Sequence, residues 1–383
     1  MLLEGRSRLG RLGSLLARFP LSVWFLALLL GGIGVVFIHS TTLGSESFAG
    51  QDRKQAVVML VLPLVLAPLA FLPRSKVLNA AWLAYGAVLL TLVLLPFAGT
   101  TINGARRWFV VVPGLTLQPS EFMKPALVLM LAHYLRFRAR AGFVEGIGVP
   151  LLLTLVPAAL MVRQPDLGSA LSLLPVLFAM CYAGGAKGRT LFALGVSGVV
   201  GFALLFPFLH HYQQDRILVW FNQGRMSPED RLGPGYHLYQ SLVSVGAGGL
   251  LGSGLFQGLQ NLNDFLPYRS TDFLFAVIAE ETGFLGATTV IGIYLGLCLL
   301  ILRHAAGIRD RFGRLLATGI GVLLATQLFI HAGVCTGLLP TTGLPLALLS
   351  YGRSSVTASW LSLALFAHAV VGRQRTVARD MYL

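Results

Sequence analysis

Long apolar runs, separated by short polar segments, dominate this chain. Each run has about the 20 residues that an α-helix needs to cross a bilayer. No segment between the runs has the size and polarity of a soluble domain. The pattern therefore predicts an all-α, polytopic membrane protein with about ten transmembrane helices in a single membrane domain, residues 1–383. The predicted spans are 20–40, 55–72, 78–97, 119–136, 146–162, 168–184, 189–209, 273–302, 315–336 and 353–371.

The charge distribution predicts the orientation of the chain in the membrane. Hydrophobic residues make up 55% of the chain and charged residues only 11%, whereas a soluble domain has about 25% charged residues. The net charge is +14, and most basic residues fall in the loops on one side of the predicted spans. Because basic loops stay in the cytoplasm, both termini are expected there. The basic loops also predict contact with anionic membrane lipid, and no nucleic-acid partner is expected.

The opposite side carries the long polar segments. The largest is an extracytoplasmic loop over about residues 210–272, and loops of that length usually carry function. Its glycine-rich part, residues 246–258, is interpreted as a flexible turn. A phosphate cradle is the alternative, but the Gly-Lys-Ser/Thr sequence of such a cradle does not follow. Any chemistry is therefore expected at the outer face of the membrane.

Asp272 stands where the long loop meets the next apolar run. Partial burial and the nearby Glu280 and Glu281 are both expected to raise the pKa of its carboxyl from about 3.9 toward that of a general base. The same position also suits a helix N-cap before Phe273. The two roles do not exclude each other.

Two further polar clusters are predicted at the outer membrane surface. Arg107 suits phosphate oxygens, and Trp108 either stacks on a sugar or anchors its loop at the interface. Glu121 and Lys124 lie one helical turn apart at the start of the fourth span. They form either a structural ion pair or part of a polar cavity, and we expect that cavity to be shared with Asp272.

A polar break with a proline separates the fifth and sixth spans. Arg163 and Asp166 flank Pro165 there, and a salt bridge between them is expected to shape the turn. Metal binding has little support, because the three cysteines lie inside apolar runs without the spacing of a metal site. No metal-binding residue is therefore assigned.

Several motifs, in one order along almost the whole chain, resemble the SEDS family (shape, elongation, division and sporulation proteins). They are residues 103–108, 118–124, 163–170, 212–217, 235–241, 265–273, 337–340 and 350–352. Residues 212–217 and the spacing at 265–267 are more similar to the elongation branch than to the division branch. Two positions depart from the usual family pattern, since His331 stands in place of Asn and Arg353 in place of Gly.

The resemblance implies a peptidoglycan glycosyltransferase of the bacterial cytoplasmic (inner) membrane that acts in cell-wall synthesis and cell shape. Its substrates would be the growing glycan strand as donor and lipid II as acceptor, joined in one inverting displacement. Asp272 matches the essential loop aspartate of the family and is the expected general base. Arg107, Trp108, Glu121 and Lys124 are the expected substrate-binding residues. The implied protein partner is a class B penicillin-binding protein, a transpeptidase.

The resemblance fixes no cofactor, although a divalent cation, Mg²⁺ or Mn²⁺, is a candidate for stabilising the departing pyrophosphate. Two other classes of function stay open from the sequence. A flippase for lipid-linked sugars predicts a polar path that reaches the cytoplasmic side. A non-enzymatic scaffold for cell-wall synthases predicts the membrane fold but gives no reason for an acid beside a cavity.

Overall fold

The computed structural model describes residues 18–43, 48–102, 105–112, 115–138, 142–208 and 211–372. Helices account for most of this range. In chain order they are α1 Leu21–Thr42, α2 Gln51–Leu66, α3 Arg74–Ala98, α4 Pro119–Leu135, α5 Val149–Arg163, α6 Leu167–Ala183, α7 Gly188–Leu205, α8 His211–Phe221, α9 Pro228–Leu232, α10 Tyr236–Ala247, α11 Leu259–Leu262, α12 Leu274–Ala306, α13 Arg311–Cys335 and α14 Arg353–Val371.

Each of the ten predicted spans coincides with one helix, α1 to α7 or α12 to α14. Seven of the helices in the described ranges are long and apolar enough to cross a membrane. Helices α4, α6 and α7 are shorter, with 17, 17 and 18 residues. The prediction of an all-α, polytopic membrane protein is confirmed, because helices of this length and composition need a bilayer around them.

Helices α4, α13 and α14 form the centre of the bundle. Almost every residue of α4 is buried, and so are most residues of α13 and α14. Helices α2 and α3 lie at the periphery, where Leu64 is 77% exposed and Leu83 is 75% exposed. Large exposed apolar faces of this kind suit contact with lipid tails rather than water.

Helix α12 is broken at Gly283, which has φ 65° and ψ −167°. The glycine-rich segment of the long loop packs against this break and replaces the missing helical hydrogen bonds. The amide of Phe284 donates to the carbonyl of Gly249 at 2.9 Å, and the amide of Ser253 donates to the carbonyl of Glu280 at 2.9 Å. The expectation of a flexible turn is therefore wrong, because the segment is hydrogen-bonded to α12 along its length.

The carboxyl groups of Glu280 and Glu281 hold the next part of the loop. Both side chains are buried. Glu280 accepts a hydrogen bond from the amide of Gln260 at 2.8 Å, and Glu281 accepts one from the amide of Phe256 at 3.1 Å and another from the hydroxyl of Ser40. These two acids therefore attach the loop to α12 and α1.

Three loops that were predicted to share the cytoplasmic side lie at one end of the bundle. Arg74, which begins α3, donates to Asp310 before α13 at 2.6 Å. Arg311 donates to the carbonyl of Gly184, after α6, at 2.6 Å. The N-terminal and C-terminal basic residues, 1–17 and 373–383, lie outside the described residues.

A small antiparallel sheet of three strands joins α3 to α4. The strands are β1 Thr100–Ile102, β2 Ala105–Val112 and β3 Leu115–Leu117. The sequence predicted a loop here, since β1 and β3 have only three residues each and β2 has no regular alternation of apolar and polar residues. The sheet fixes the direction of the arginines on β2, because successive side chains of a strand point to opposite faces.

Candidate active site

A cavity of about 450 Å³ opens where β2, the end of the long loop and the segment between α13 and α14 meet. Polar or charged side chains supply most of its lining. They are Arg107, Trp108, Thr116, Gln118, Arg216, His237, Tyr268, Thr271, Asp272, Thr341, Thr342, Tyr351, Arg353, Ser354 and Ser355. The predicted residues Arg107, Trp108 and Asp272 thus surround one space. Their contacts with substrate stay a prediction.

Asp272 lies in the turn that leads into α12. Its amide donates to the carbonyl of Tyr268 at 2.9 Å. The residue at the N-cap of α12 is Phe273, and no side chain caps this helix end. The interpretation of Asp272 as an N-cap is therefore wrong, and its carboxyl lines the cavity instead. Gly343, with φ +69°, lies close enough that an added Cβ would stand 3.3 Å from Asp272 Oδ2.

The surroundings of Asp272 raise the pKa of its carboxyl to about 6. Loss of solvent is the largest cause, as expected for a carboxylate removed from water. A hydrogen bond from Thr271 and the charges of Arg216 and Arg107 lower the pKa, and the charge of Asp166 raises it slightly. The prediction that Glu280 and Glu281 raise this pKa is wrong, because both side chains are bound to the loop segment 256–261.

Strand β2 points its two arginines in different directions. Arg107 faces the cavity, where its guanidinium donates to the carbonyl of Gln164 at 3.0 Å and to that of Pro165. Arg106 faces away and donates to the carbonyl of Pro96 at 2.7 Å. The bonds to the two carbonyls hold Arg107 in place, so that its charge is fixed at the cavity wall.

Glu121 and Lys124 do not line this cavity. The ammonium of Lys124 donates to Glu121 Oε1 at 2.6 Å, and both side chains are 1% exposed. The expected shared cavity with Asp272 is therefore wrong, and the alternative of a structural ion pair describes their geometry. Burial of a charged pair is costly unless the partners bond each other. Lys124 satisfies Glu121 Oε1, whereas Glu121 Oε2 has no hydrogen-bond partner among the described residues. Their contact with substrate stays a prediction.

Asp166 has a different partner from the one expected. Arg163 is exposed, and Asp166 is buried at the start of α6. Its carboxylate accepts hydrogen bonds from the hydroxyl of Ser120 at 2.6 Å and from the amide of Ser169 at 3.3 Å. The expected salt bridge to Arg163 is therefore wrong, because Asp166 caps α6 and connects it to α4.

The cavity wall also includes three residues that were not predicted from the sequence, namely Arg216, His237 and Tyr268. Arg216 lies on α8 and donates to the carbonyl of Thr341 at 3.3 Å. The ring of His237, on α10, stacks against Phe273 with 6.3 Å between ring centroids. All three residues belong to motifs that resemble the SEDS family, namely 212–217, 235–241 and 265–273. The resemblance assigned no role to these residues.

His331 has a structural place. Its Nδ1 lies 2.8 Å from the carbonyl oxygen of Leu344, and its Nε2 lies 3.4 Å from the amide nitrogen of Phe275. With the proton on Nδ1, the ring donates to Leu344 and accepts from Phe275. His331 thus connects α13 to the start of α12 and to the segment that forms the cavity wall.

The donor set of the cavity does not suit a divalent cation held by the protein. Mg²⁺ and Mn²⁺ prefer several oxygen ligands. Asp272 supplies one carboxylate, and the charges of Arg107 and Arg216 act on it from nearby. Among the described residues, no group of three or more His, Cys, Asp or Glu side chains is placed to hold a metal ion. No mechanistic step is therefore assigned to a metal.

The profile of the FtsW, RodA and SpoVE family, described as cell cycle proteins, matches residues 20–374. The chain is 34% identical over 375 residues to the probable peptidoglycan glycosyltransferase FtsW of Trichlorobacter lovleyi, covering 93% of this chain and 94% of that protein. It also resembles the crystal structure of the rod shape determining protein RodA of Thermus thermophilus, with TM-score 0.69, 31% identity, and coverage of 93% of this chain and 98% of that one.

A further similar structure is reported as "Structural coordination of polymerization and crosslinking by a peptidoglycan synthase complex". One of its chains matches with TM-score 0.78 and 33% identity, covering 93% of this chain and 99% of that chain. The class of protein is therefore an integral membrane peptidoglycan glycosyltransferase. The chain belongs to the SEDS family, of the FtsW and RodA type.

Proposed function

We propose that this protein polymerises glycan strands from lipid II at the outer leaflet of the bacterial cytoplasmic membrane, with Asp272 as general base. The observation that carries the proposal is the position of Asp272, which lines a cavity together with Arg107 and Arg216. Its pKa of about 6 leaves the carboxylate mostly ionised at neutral pH, yet far more basic than an ordinary aspartate. A base with a pKa near the working pH is the most effective proton acceptor.

The proposed reaction is one inverting displacement. The Asp272 carboxylate takes the proton from the 4-hydroxyl of lipid II as that oxygen attacks the anomeric carbon of the growing strand. The bond from the anomeric carbon to the pyrophosphate breaks, and the lipid pyrophosphate leaves with the electron pair. Arg107 and Arg216 stabilise the negative charge that develops on the leaving group.

The proposed biological role is cell elongation, with a class B penicillin-binding protein as partner. Relatives of both the FtsW and the RodA type match the chain. The elongation role therefore rests on residues 212–217 and 265–267, which are more similar to the elongation branch. The partner is supported by the similarity to a chain of a peptidoglycan synthase complex. A transpeptidase that crosslinks strands fits an enzyme that makes them.

Purified wild-type protein in liposomes with lipid II tests the proposal against its two alternatives. A polymerase forms glycan strands, which are seen on gels after labelling of the lipid II. A flippase moves lipid II between leaflets and forms no strands. A scaffold does neither and only binds its partner. Formation of strands supports the proposal, and either of the other two results contradicts it.

The orientation of the termini is a second part of the proposal. We expect both termini in the cytoplasm and residue 227 of the long loop outside, because the basic loops stay on the cytoplasmic side. Single cysteines at Ser14 and Ser227 are labelled in intact cells with a thiol reagent that does not cross the membrane. Labelling is expected at Ser227 alone. Labelling at Ser14 alone would reverse the orientation.

The pH dependence of the reaction is expected to follow the ionisation of Asp272. A base must be deprotonated to act, so the rate should rise with pH through a pKa of about 6 and level off above it. The charge of Arg216 lowers this pKa. In the variant Arg216→Gln the pKa should rise, and the acidic limb of the profile should move to higher pH.

The measurement is the polymerisation rate between pH 5 and pH 8 for both proteins. The matched control is Arg225→Gln, which removes an exposed arginine of the same loop that does not line the cavity. The control should keep the acidic limb of the pH profile at the wild-type position. A limb that stays in place in Arg216→Gln, or moves to lower pH, would contradict the assignment of Asp272 as the titrating base.

A further inference from the structure

The N-terminal end of α14 opens into the cavity. Gly352, Arg353, Ser354 and Ser355 all line it. Gly352 is the N-cap residue, and the first hydrogen bond of the helix runs from the amide of Val356 to the carbonyl of Gly352. The amides of residues 353–355 therefore have no acceptor inside the helix. Together with the helix dipole, such amides favour a bound anion.

Two buried hydroxyls in the wall of the same cavity give an independent indication of a ligand. The side chains of Ser355 and Thr342 are each 4% exposed, and both line the cavity. Neither hydroxyl oxygen has a hydrogen-bond partner within the described part of the chain. A buried hydroxyl without a partner is unfavourable, and nearly all buried polar groups are hydrogen-bonded. Oxygens of a ligand in the cavity would satisfy these two hydroxyls.

Arg353 adds a positive charge to the first turn of the same helix. A cation at a helix N-terminus opposes the helix dipole, so local helix stability gives no reason for arginine at this position. Exceptions to a local rule of this kind are expected at functional sites. Among the described lining residues, Arg353 joins Arg107 and Arg216 against the single carboxylate of Asp272.

We propose that the N-terminal end of α14, with Arg353, Ser355 and Thr342, is a binding subsite for the pyrophosphate of a lipid-linked substrate. The inference rests on the proposed function and extends it to residues outside the predicted site. The helix amides and the two hydroxyls bind phosphate oxygens, and the Arg353 guanidinium binds them in the bidentate geometry that arginine favours. Arg353 thus gives this chain a phosphate contact that a glycine lacks.

The test is the binding of defined lipids to purified protein in detergent. The probes are undecaprenyl pyrophosphate and the neutral undecaprenol. Arg353→Gly should weaken binding of the pyrophosphate lipid by about 10-fold, the loss expected for a charged hydrogen-bonding partner, and should leave undecaprenol binding unchanged. Arg353→Lys keeps the charge but loses the bidentate geometry, so a smaller loss of about 3-fold is expected.

The matched control is Arg225→Gly, which removes an exposed arginine outside the cavity and should bind both lipids as the wild type does. Arg353→Gly removes a charge that opposes the dipole of α14, so folding should be kept, and a melting curve checks this. If Arg353→Gly binds undecaprenyl pyrophosphate normally but binds lipid II less tightly, the contact is to a peptide carboxylate and the proposal is overturned. If Arg353→Gly binds undecaprenyl pyrophosphate and lipid II as tightly as the wild type does, the proposal is also overturned.

Polymerisation separates this proposal from the function on which it rests. With lipid II as substrate, Arg353→Gly should raise KM by about 10-fold and change kcat little, since the contact is made before and during the reaction alike. If the wild type binds the pyrophosphate lipid through Arg353 but forms no glycan, the subsite stands and the proposed function fails. If the wild type polymerises lipid II and Arg353→Gly has a normal KM, the subsite fails and the function stands.

Discussion

Replacement of Asp272 by Asn is expected to abolish glycan polymerisation while the protein still folds. The carboxamide has nearly the shape of the carboxylate but accepts no proton at neutral pH, so the rate should fall by about 100-fold or more. Phe273, not Asp272, occupies the N-cap of α12, and so the substitution removes no helix cap. Stability should therefore change little, and thermal unfolding of the purified variant checks this.

Asp215→Asn is the matched control for this experiment. Asp215 is an exposed acid of the same loop and does not line the cavity. Its variant should polymerise lipid II at the wild-type rate. Binding of lipid II to Asp272→Asn should also be kept, because Arg107 and Arg216 remain in place. Near-normal polymerisation by Asp272→Asn would rule out Asp272 as the base.

Replacement of Gly283 by Ala is expected to have the largest effect on stability. Gly283 has φ 65° and ψ −167°, a region of backbone conformation that is essentially restricted to glycine. An added Cβ would also overlap the backbone of Leu250 and Gly252. Strain and overlap together should lower the free energy of unfolding by about 3–5 kcal/mol. The loop segment that packs on α12 should also detach.

Gly292→Ala is the matched control, because Gly292 lies in the same helix with nothing within 4 Å of the added Cβ. Alanine favours a helix over glycine, so this variant should be as stable as the wild type or slightly more stable. The measurements are thermal unfolding in detergent and hydrogen exchange of the amides in residues 248–256. If Gly283→Ala melts with the wild type and keeps those amides protected, the break at Gly283 does not hold the loop.

The hydrophobic pattern predicted the bundle well because membrane crossing is a property of local composition. A run of about 20 apolar residues fixes the existence of a helix wherever its neighbours lie. The same local character made Arg107, Trp108 and Asp272 recognisable, since each stands at the edge of an apolar run in a motif of the SEDS family. These three residues line one cavity in the structure.

The errors concern partners that are distant in sequence. Glu280 and Glu281 are close to Asp272 in sequence but bind the loop segment 256–261. Asp166 was paired with the nearby Arg163, yet its carboxylate accepts from Ser120, which precedes it by 46 residues. A helix places neighbours in sequence on different faces. Proximity along the chain is therefore a weak guide to contacts between helices.

The sequence by itself determined the class of this protein, the approximate spans and the acid between the long loop and the eighth span, because these depend on local hydrophobicity and on motifs. Only the tertiary structure decided which charges meet. It directed Arg107 into the cavity, sealed Glu121 and Lys124 in a pair, and brought Arg216 and Arg353 to the same space as Asp272. Such choices depend on the packing of helices far apart in the chain, which no local pattern encodes.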